Sequence, residues 1–111
     1  MRTEEPVTAR VVLVTAPEET AEPLVTTLVE ERLAACGNIV PGVLSIFRWQ
    51  GTVEREREVL IMLKTTESAV PALLHRTSEL HPYDVPEMLV VRVEAGHGPY
   101  LDWVMENVNR G

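Results

Sequence analysis

The hydrophobic and polar positions along the chain follow two patterns, one typical of strands and one typical of helices. Residues 10–16, RVVLVTA, are apolar almost without a break and rich in β-branched side chains, which predicts a strand covered on both faces. The next stretch has apolar residues at three- and four-residue spacing, which predicts a helix with one buried stripe, made of Leu24, Val25, Leu28, Val29 and Leu33. Gly37 is predicted to follow the end of this helix, and Pro23 to lie in its first turn or to kink it.

Two long strand-like segments come next, over residues 38–50 and 52–66, with a predicted turn at Gln50 and Gly51 between them. The Pro-Gly pair inside the first segment predicts a bulge or bend. Near its start the second segment contains VEREREV, in which charges alternate as in a solvated ribbon. It continues as VLIMLK, which is apolar on both faces. The two segments therefore predict a long hairpin whose far end lies in water.

The remaining pattern predicts a helix over residues 68–80, a strand over 87–94 and a last helix over 98–110, with Leu101, Val104, Met105 and Val108 facing inward. The order βαβ–βαβ plus a C-terminal helix predicts an α+β fold of the ferredoxin-like type. Its antiparallel sheet carries both crossover helices on one face. We predict that residues 1–111 form one domain, with residues 1–8 flexible because they are mostly polar and include a proline.

One face of this predicted sheet has too little to cover it. Residues 59–63 and 89–91 are apolar at every position, although two helices cover only the other face. Burying one such side chain contributes roughly 1.5–3 kcal/mol to the stability of the fold. A face left exposed to water would therefore lack this contribution and would favour aggregation. We therefore predict a homo-oligomer in which partner subunits cover this face.

Charge and cysteine content narrow the function. The 17 acidic residues outnumber the 10 basic ones, for a net charge of −7, which argues against nucleic-acid binding because that needs a basic face. The single cysteine rules out a disulfide within the chain. No apolar run approaches the ~20 residues that span a membrane, and no signal segment opens the sequence. These features predict a cytoplasmic protein that does not contact membranes.

The loop ELHPYDVPE holds the first candidate site. Imidazole is a usual ligand for copper, and the two prolines stiffen the loop and favour extended geometry before them. His81, Tyr83 and Glu87 would then point in fixed directions, as a binding site requires. The alternative is a rigid connection from helix to strand, in which Tyr83 packs and Glu87 caps or pairs.

Three further residues have a functional and a structural interpretation. Cys36 offers a thiolate suited to Cu(I), but it is equally a small buried thiol near a helix end. Lys64 ends an apolar strand and can bind an anion or extend its amine to water. Trp49 ends the preceding strand, where it can anchor an interface or stack on a ligand.

Long segments of the chain resemble the CutA family of divalent-cation tolerance proteins. The likeness is carried by EERLAACGNIVPGVLSIFRWQG, EVLIMLKTT and ELHPYDVPE, and it extends from about residue 11 to 108. It implies a ferredoxin-like fold shared with the PII signalling proteins and a tight homotrimer packed around a central axis. It also implies tolerance to copper and other divalent cations, in a family for which no enzymatic activity is established.

Three hypotheses follow. The first is a non-enzymatic homotrimer that binds Cu(II) or another divalent cation, with His81 and Cys36 as ligands. The second is a PII-like protein that senses a small anionic metabolite in clefts between subunits; with His81, the residues proposed to line these clefts are Trp49, Lys64, Tyr83 and Glu87. The third is acid–base catalysis by His81 with Tyr83 or Lys64. Because no nucleophile accompanies these residues, we predict that the protein is not an enzyme.

Overall fold

The chain folds into a four-stranded antiparallel sheet and three helices. The structure, a computed structural model, describes residues 7–109. Its elements are β1 (Ala9–Ala16), α1 (Glu18–Glu30), β2 (Cys36–Trp49), β3 (Thr52–Thr66), a 3₁₀ turn (Glu67–Ala69), α2 (Val70–Leu80), β4 (Met88–Arg92) and α3 (Gly98–Glu106). The strands lie in the order β2-β3-β1-β4, and every neighbouring pair is antiparallel. The predicted ferredoxin-like architecture is confirmed.

The main core lies between the sheet and helices α1 and α2. Alternate residues of the two central strands point into it because side chains on a strand alternate between faces. The buried strand residues are Val12, Val14 and Ala16 of β1 and Val59, Ile61 and Leu63 of β3. Leu28 of α1 and Leu73 of α2 meet them and are fully buried. This core fixes the ends of β1 and β3, which carry the candidate site described below.

Helix α1 is shorter than the helix predicted from the spacing of its apolar residues. It ends at Glu30, and Arg32 adopts a left-handed backbone with φ of 61°. This conformation stops the helix, and the Leu33 N–H donates to the Leu28 carbonyl at 3.0 Å instead of continuing it. Gly37 is the second residue of β2 and does not terminate the helix. The predictions that the helical stripe reached Leu33 and that Gly37 followed its end were wrong.

Pro23 lies inside α1. It is the sixth residue of the helix, counting Glu18 as the first, so it lies beyond the first turn, and it is exposed. Because proline has no N–H, it leaves the carbonyl of Glu19 without its helical donor. Two acidic side chains in the first turn, Glu18 and Glu19, favour the positive end of the helix dipole.

The hairpin between β2 and β3 turns at the predicted position. Gln50 and Gly51 both have positive φ, of 49° and 86°, and the flanking residues Trp49 and Thr52 are paired. Two consecutive positive φ values are the mark of a type I′ turn, whose twist matches that of the strands. The turn therefore closes the hairpin with only two residues.

The predicted bulge is present in β2. Val40 pairs with Leu60, and Val43 pairs with Glu58, so Pro41 and Gly42 together lie opposite one residue of β3. Gly42 has a φ of 75°, which a glycine adopts without strain. The bulge separates the four-stranded body of the sheet from its two-stranded extension.

This extension, residues 43–58, is called the ribbon arm below. Strand β1 pairs with β3 only from Val59 onward, so the arm has two strands and no third. The molecule measures 56 × 25 × 23 Å along its principal axes. The arm accounts for this elongation, because seven strand residues extend roughly 23 Å.

The last helix ends at Glu106, before the end predicted from the sequence, so that one predicted inward-facing residue packs from the helix and another from the chain just after it. Val104 and Val108 are buried against Ala35 and Ala69 in a second, smaller cluster. Met105, predicted to face inward, is 47% exposed, and that prediction was wrong. Among residues 7–109, none of the helices combines the length and the apolar character that crossing a bilayer demands.

The described chain begins inside the segment that was predicted to be flexible. The carbonyl of Thr8 accepts a hydrogen bond of 2.8 Å from the Glu67 N–H, and Thr8 is half-buried. The prediction for residues 1–6 lies outside the described residues.

Candidate functional site

His81 begins the loop after α2 and is buried, with 6% of its surface exposed. Pro82 follows it and disfavours helical geometry, and His81 is extended with φ −83° and ψ 139°. Its Nε2 lies 2.8 Å from the Thr15 carbonyl, and its Nδ1 accepts a 3.1 Å hydrogen bond from the Tyr83 N–H. A carbonyl only accepts, so these contacts require the proton on Nε2. The ring therefore joins the loop to the end of β1.

Tyr83 turns back over His81 and contacts a buried carboxylate. Its ring centroid lies 4.7 Å from that of His81, and its hydroxyl donates a 2.9 Å hydrogen bond to Oε2 of Glu58. Burial, this hydrogen bond and the negative charges of Glu58, Glu56 and Glu19 raise the pKa of Tyr83 to about 12. The hydroxyl thus stays protonated at neutral pH in a region of negative potential.

Glu87 and Thr15 complete the site. The Thr15 hydroxyl donates to Oε1 of Glu87 at 3.4 Å, while the Thr15 carbonyl holds His81. The structure thus brings together the predicted residues His81, Tyr83 and Glu87. It adds Thr15 and Glu58, which the sequence analysis missed. The one sequence signal for Glu58 is its place as the last charged residue before the apolar run of β3.

Cys36 and Lys64 lie at the opposite end of the sheet body. They pair across β2 and β3, whereas Thr15 pairs with Leu60, four residues away along β3. Four strand residues span roughly 13 Å, so neither Cys36 nor Lys64 contacts His81 within one chain. The Lys64 amine donates to the side-chain oxygen of Asn38.

Cys36 has an aromatic neighbour from α3. Its Sγ lies 3.4 Å from the Tyr100 hydroxyl, and Tyr100 stacks on Trp103 with ring centroids 5.6 Å apart. The contact with Cys36, followed by burial, raises the pKa of Tyr100 to about 12. Trp49 lies at the tip of the ribbon arm and is 49% exposed, away from both clusters.

No complete metal centre is assembled in the part of the chain that the structure describes. Residues 7–109 bring together no group of three or more His, Cys, Asp or Glu side chains able to hold a metal ion. Both ring nitrogens of His81 already make hydrogen bonds, so a metal on Nδ1 would replace the Tyr83 N–H. Carboxylates of Glu58 and Glu87 supply oxygen ligands nearby, which suit hard divalent cations.

We expect stability to fall as pH rises from the ordinary tyrosine pKa of 10.0 towards about 12. The folded pKa of Tyr83 lies above its unfolded value, so the folded chain keeps this proton while the unfolded chain loses it. The contribution is therefore complete below pH 10.0 and disappears as pH passes through the folded value. Urea midpoints across this window should fall more steeply for wild type than for Tyr83→Phe. Tyr100 is present in both proteins, so its titration cancels, and equal slopes would contradict the prediction.

Comparison with known proteins identifies the family. The family model described as CutA1 divalent ion tolerance protein matches residues 10–107. The chain belongs to the CutA1 family. The Thermus thermophilus divalent-cation tolerance protein CutA is 53% identical over 98 residues, covering 87% of this chain and 95% of that protein. Human Protein CutA is 46% identical over 94 residues, which cover 84% of this chain and 52% of that protein. The chain thus spans about half the length of the human relative.

Solved CutA1-family structures share the fold. The Thermus thermophilus divalent cation tolerance protein has a TM-score of 0.89 at 51% identity, covering 91% of this chain and 99% of that one. CutA1 from Oryza sativa has a TM-score of 0.92 at 37% identity, covering 96% and 98%. The bacterial relatives are named for tolerance to divalent cations and not for an enzymatic reaction. These findings confirm the resemblance to the CutA family predicted from the sequence.

Proposed function

We propose that this protein acts in divalent-cation tolerance as a non-enzymatic homotrimer that binds Cu(II) or another divalent cation beside the His81 loop. The observation that carries the proposal is the hydrogen bond from Tyr83 to the buried carboxylate of Glu58. Burial is the largest cause of the raised pKa of that hydroxyl, about 12; the hydrogen bond to Glu58 and the negative charges of Glu58, Glu56 and Glu19 add to it. These three carboxylates give the site a negative potential. Negative potential concentrates cations, and Glu87 and the imidazole of His81 supply ligand atoms of types that divalent metals accept.

The trimer part of the proposal rests on exposed apolar strands. On β4, Leu89 is 55% exposed and Val91 is 44% exposed, and both lie on the sheet face away from α1 and α2. On β2, the exposed large apolar residues are Ile39, Val40, Leu44, Ile46, Phe47 and Trp49. Such a surface in water favours association, and the family resemblance implies three subunits.

The proposed trimer also provides a way for candidate residues that lie far from His81 within one chain to reach the binding site. Cys36 and Trp49 lie away from His81 within one chain. Their proposed roles, as a metal ligand and as part of a cleft, therefore require a neighbouring subunit to bring them to the His81 loop. A symmetric trimer would form three equivalent sites of this kind.

The alternative, a PII-like sensor of a small anionic metabolite, has less support. An anion beside Tyr83 would meet the carboxylates of Glu58 and Glu87, and within one chain Lys64 lies far from them. This alternative requires a neighbouring subunit to place Lys64 in the cleft. It predicts thermal stabilisation by a metabolite in the absence of metal.

Copper stoichiometry under competition with a chelator of known affinity tests the proposal. We expect wild type to hold a whole number of ions per trimer, and His81→Ala and Glu87→Gln each to lose them. Glu87→Gln is the cleaner variant because Glu87 is exposed and, among residues 7–109, its side chain hydrogen-bonds only to Thr15. The matched control is His75→Ala, because His75 and Glu79 form an exposed His–carboxylate pair 3.6 Å apart on α2. Copper lost in His75→Ala but kept in both site variants would refute the proposed site.

A further inference from the structure

Tyr83 hydrogen-bonds to both of the buried side chains that offer ligand atoms at the proposed site. Its N–H donates to Nδ1 of His81 at 3.1 Å, and its hydroxyl donates to Oε2 of Glu58 at 2.9 Å. Nε2 of His81 carries the ring proton and donates to the Thr15 carbonyl, so Nδ1 offers the ring lone pair that a metal needs. The atoms that would bind a cation therefore already accept hydrogen bonds from one residue.

Glu58 is a buried carboxylate without a basic partner in the described part of the chain. Only 8% of its surface is exposed, and the salt bridges among residues 7–109 do not include it. Within the same residues, the Tyr83 hydroxyl is the hydrogen-bond donor to its side chain. Buried carboxylates are normally paired with a cation or bind a metal, because removing their charge from water is costly. A divalent cation, which carries full charges, would therefore stabilise Glu58 more than a neutral hydroxyl does.

The loop that carries Tyr83 is exposed, whereas the two side chains that it contacts are buried. Residues 82–85 are exposed and lie outside the helices and strands, and 38% of the Tyr83 surface is exposed. Glu58 lies in β3, and His81 is joined to the end of β1 by its Nε2 hydrogen bond. Exposed segments with few buried contacts open at a lower free-energy cost than the core does. A movement of Tyr83 would therefore uncover both ligand atoms without disturbing the sheet.

We infer that Tyr83 limits the affinity of this site for divalent cations, because it must release both Nδ1 of His81 and Oε2 of Glu58 before a cation binds there. The observed affinity is then the intrinsic affinity multiplied by the fraction of chains in which Tyr83 has released the two atoms. Any change that weakens its hydrogen bonds raises this fraction and tightens binding. The inference rests on the proposed cation-binding function and adds which residue sets the affinity of the site.

Tyr83→Phe tests the inference because it removes the hydroxyl and keeps both the ring and the N–H. The dissociation constant for Cu(II), measured by competition with a chelator of known affinity, should fall at least about tenfold, since the lost hydrogen bond is one to a charged group. A hydroxyl that binds the metal itself would instead make the variant bind more weakly. A hydroxyl that only supports the loop would leave the constant unchanged. Either of these results, with copper still bound by wild type, would overturn the inference and leave the proposed function standing.

The Glu58→Gln background shows whether the gain depends on the carboxylate. There, Tyr83→Phe should change the dissociation constant by less than about twofold, because the hydroxyl no longer competes for a charged oxygen. An equal gain in both backgrounds would mean that the substitution merely loosens the loop, and it would overturn the inference. The control is Val85→Ala, which changes a 74% exposed side chain of the same loop and should leave the constant unchanged. The same gain in Val85→Ala would also overturn the inference.

Amide hydrogen exchange of wild type gives a second measurement, which decides the matter if Tyr83→Phe fails to fold. Saturation with Cu(II) should raise the early deuterium uptake of residues 81–87 by about one amide, because the Tyr83 N–H loses its acceptor. Unchanged or lower uptake with copper bound would overturn the inference but not the proposed function. A wild type that binds no copper would overturn both.

Discussion

Replacing His81 with alanine should lower the free energy of unfolding by about 2–4 kcal/mol, even without any metal present. The substitution removes the partner of the Thr15 carbonyl and the partner of the Tyr83 N–H, and each unsatisfied buried group costs about 1–3 kcal/mol. Water reaches the Tyr83 side of the loop, which keeps the total below the upper end of that range. Urea unfolding at one fixed protein concentration measures the effect, because assembly makes stability depend on concentration.

His75→Ala is the matched control for this prediction. The His75 side chain is 77% exposed, and its salt bridge to Glu79 lies on the surface, so its removal should change stability by less than about 0.5 kcal/mol. Equal effects of the two substitutions would show that the His81 contacts add no stability. Because His81→Ala is expected to lower stability, copper loss in that variant alone would not prove that His81 is a ligand. The Glu87→Gln variant must be measured as well, since it leaves the His81 hydrogen bonds in place.

Replacing Gly37 with alanine should lower the free energy of unfolding by about 1–3 kcal/mol. A Cβ at this position would lie 2.7 Å from Cγ1 of Val25 and 3.0 Å from Cδ2 of Leu63, both too close for ordinary contact. Val25 lies in α1, and a β-branched side chain in a helix has one strongly preferred rotamer, so it has little room to turn away. The expected readout is a lower urea midpoint with an unchanged slope.

The double variant Gly37→Ala/Val25→Ala tests the cause. Removing the Val25 methyl groups makes room for the new methyl group, so the Gly37 substitution should cost less in the Val25→Ala background than in wild type. This non-additivity is expected for residues in contact. Simple addition of the two single effects would show that the clash with Val25 is not the reason.

A structural feature could be predicted from the sequence when it depends on residues that are close together in the chain, and not when it depends on residues that are far apart. The turn at Gln50 and Gly51 and the bulge at positions 41 and 42 were predicted because glycine and proline act through their own backbone. The end of α1 was not, because it depends on a left-handed Arg32, a residue type without strong preference for that conformation. The apolar stripe also continues to Leu33, which packs against the core from outside the helix.

The candidate site also divides into residues that are close together in the chain and residues that are far apart. His81, Tyr83 and Glu87 lie within seven residues of one another, so the stiff loop that holds them was visible in the sequence. Thr15 and Glu58 join them through the register of β1 and β3, and a sequence pattern does not encode that register directly. The placement of Cys36 and Lys64 at the other end of the sheet body has the same origin.

The bulge at Pro41 and Gly42 also bears on the order in which the chain folds. Pairing in the ribbon arm is local, since it starts from a two-residue turn, and hairpins of this kind form in about 1–10 μs. Pairing of β1 with β3 joins Ala16 to Val59 and Ala9 to Thr66, and such distant contacts close more slowly. Zipping from the turn reaches the bulge before the body exists, and Pro41 has no N–H with which to extend the ladder. We therefore expect the arm to pair early and to become fixed only when the slower body of the sheet has closed behind it.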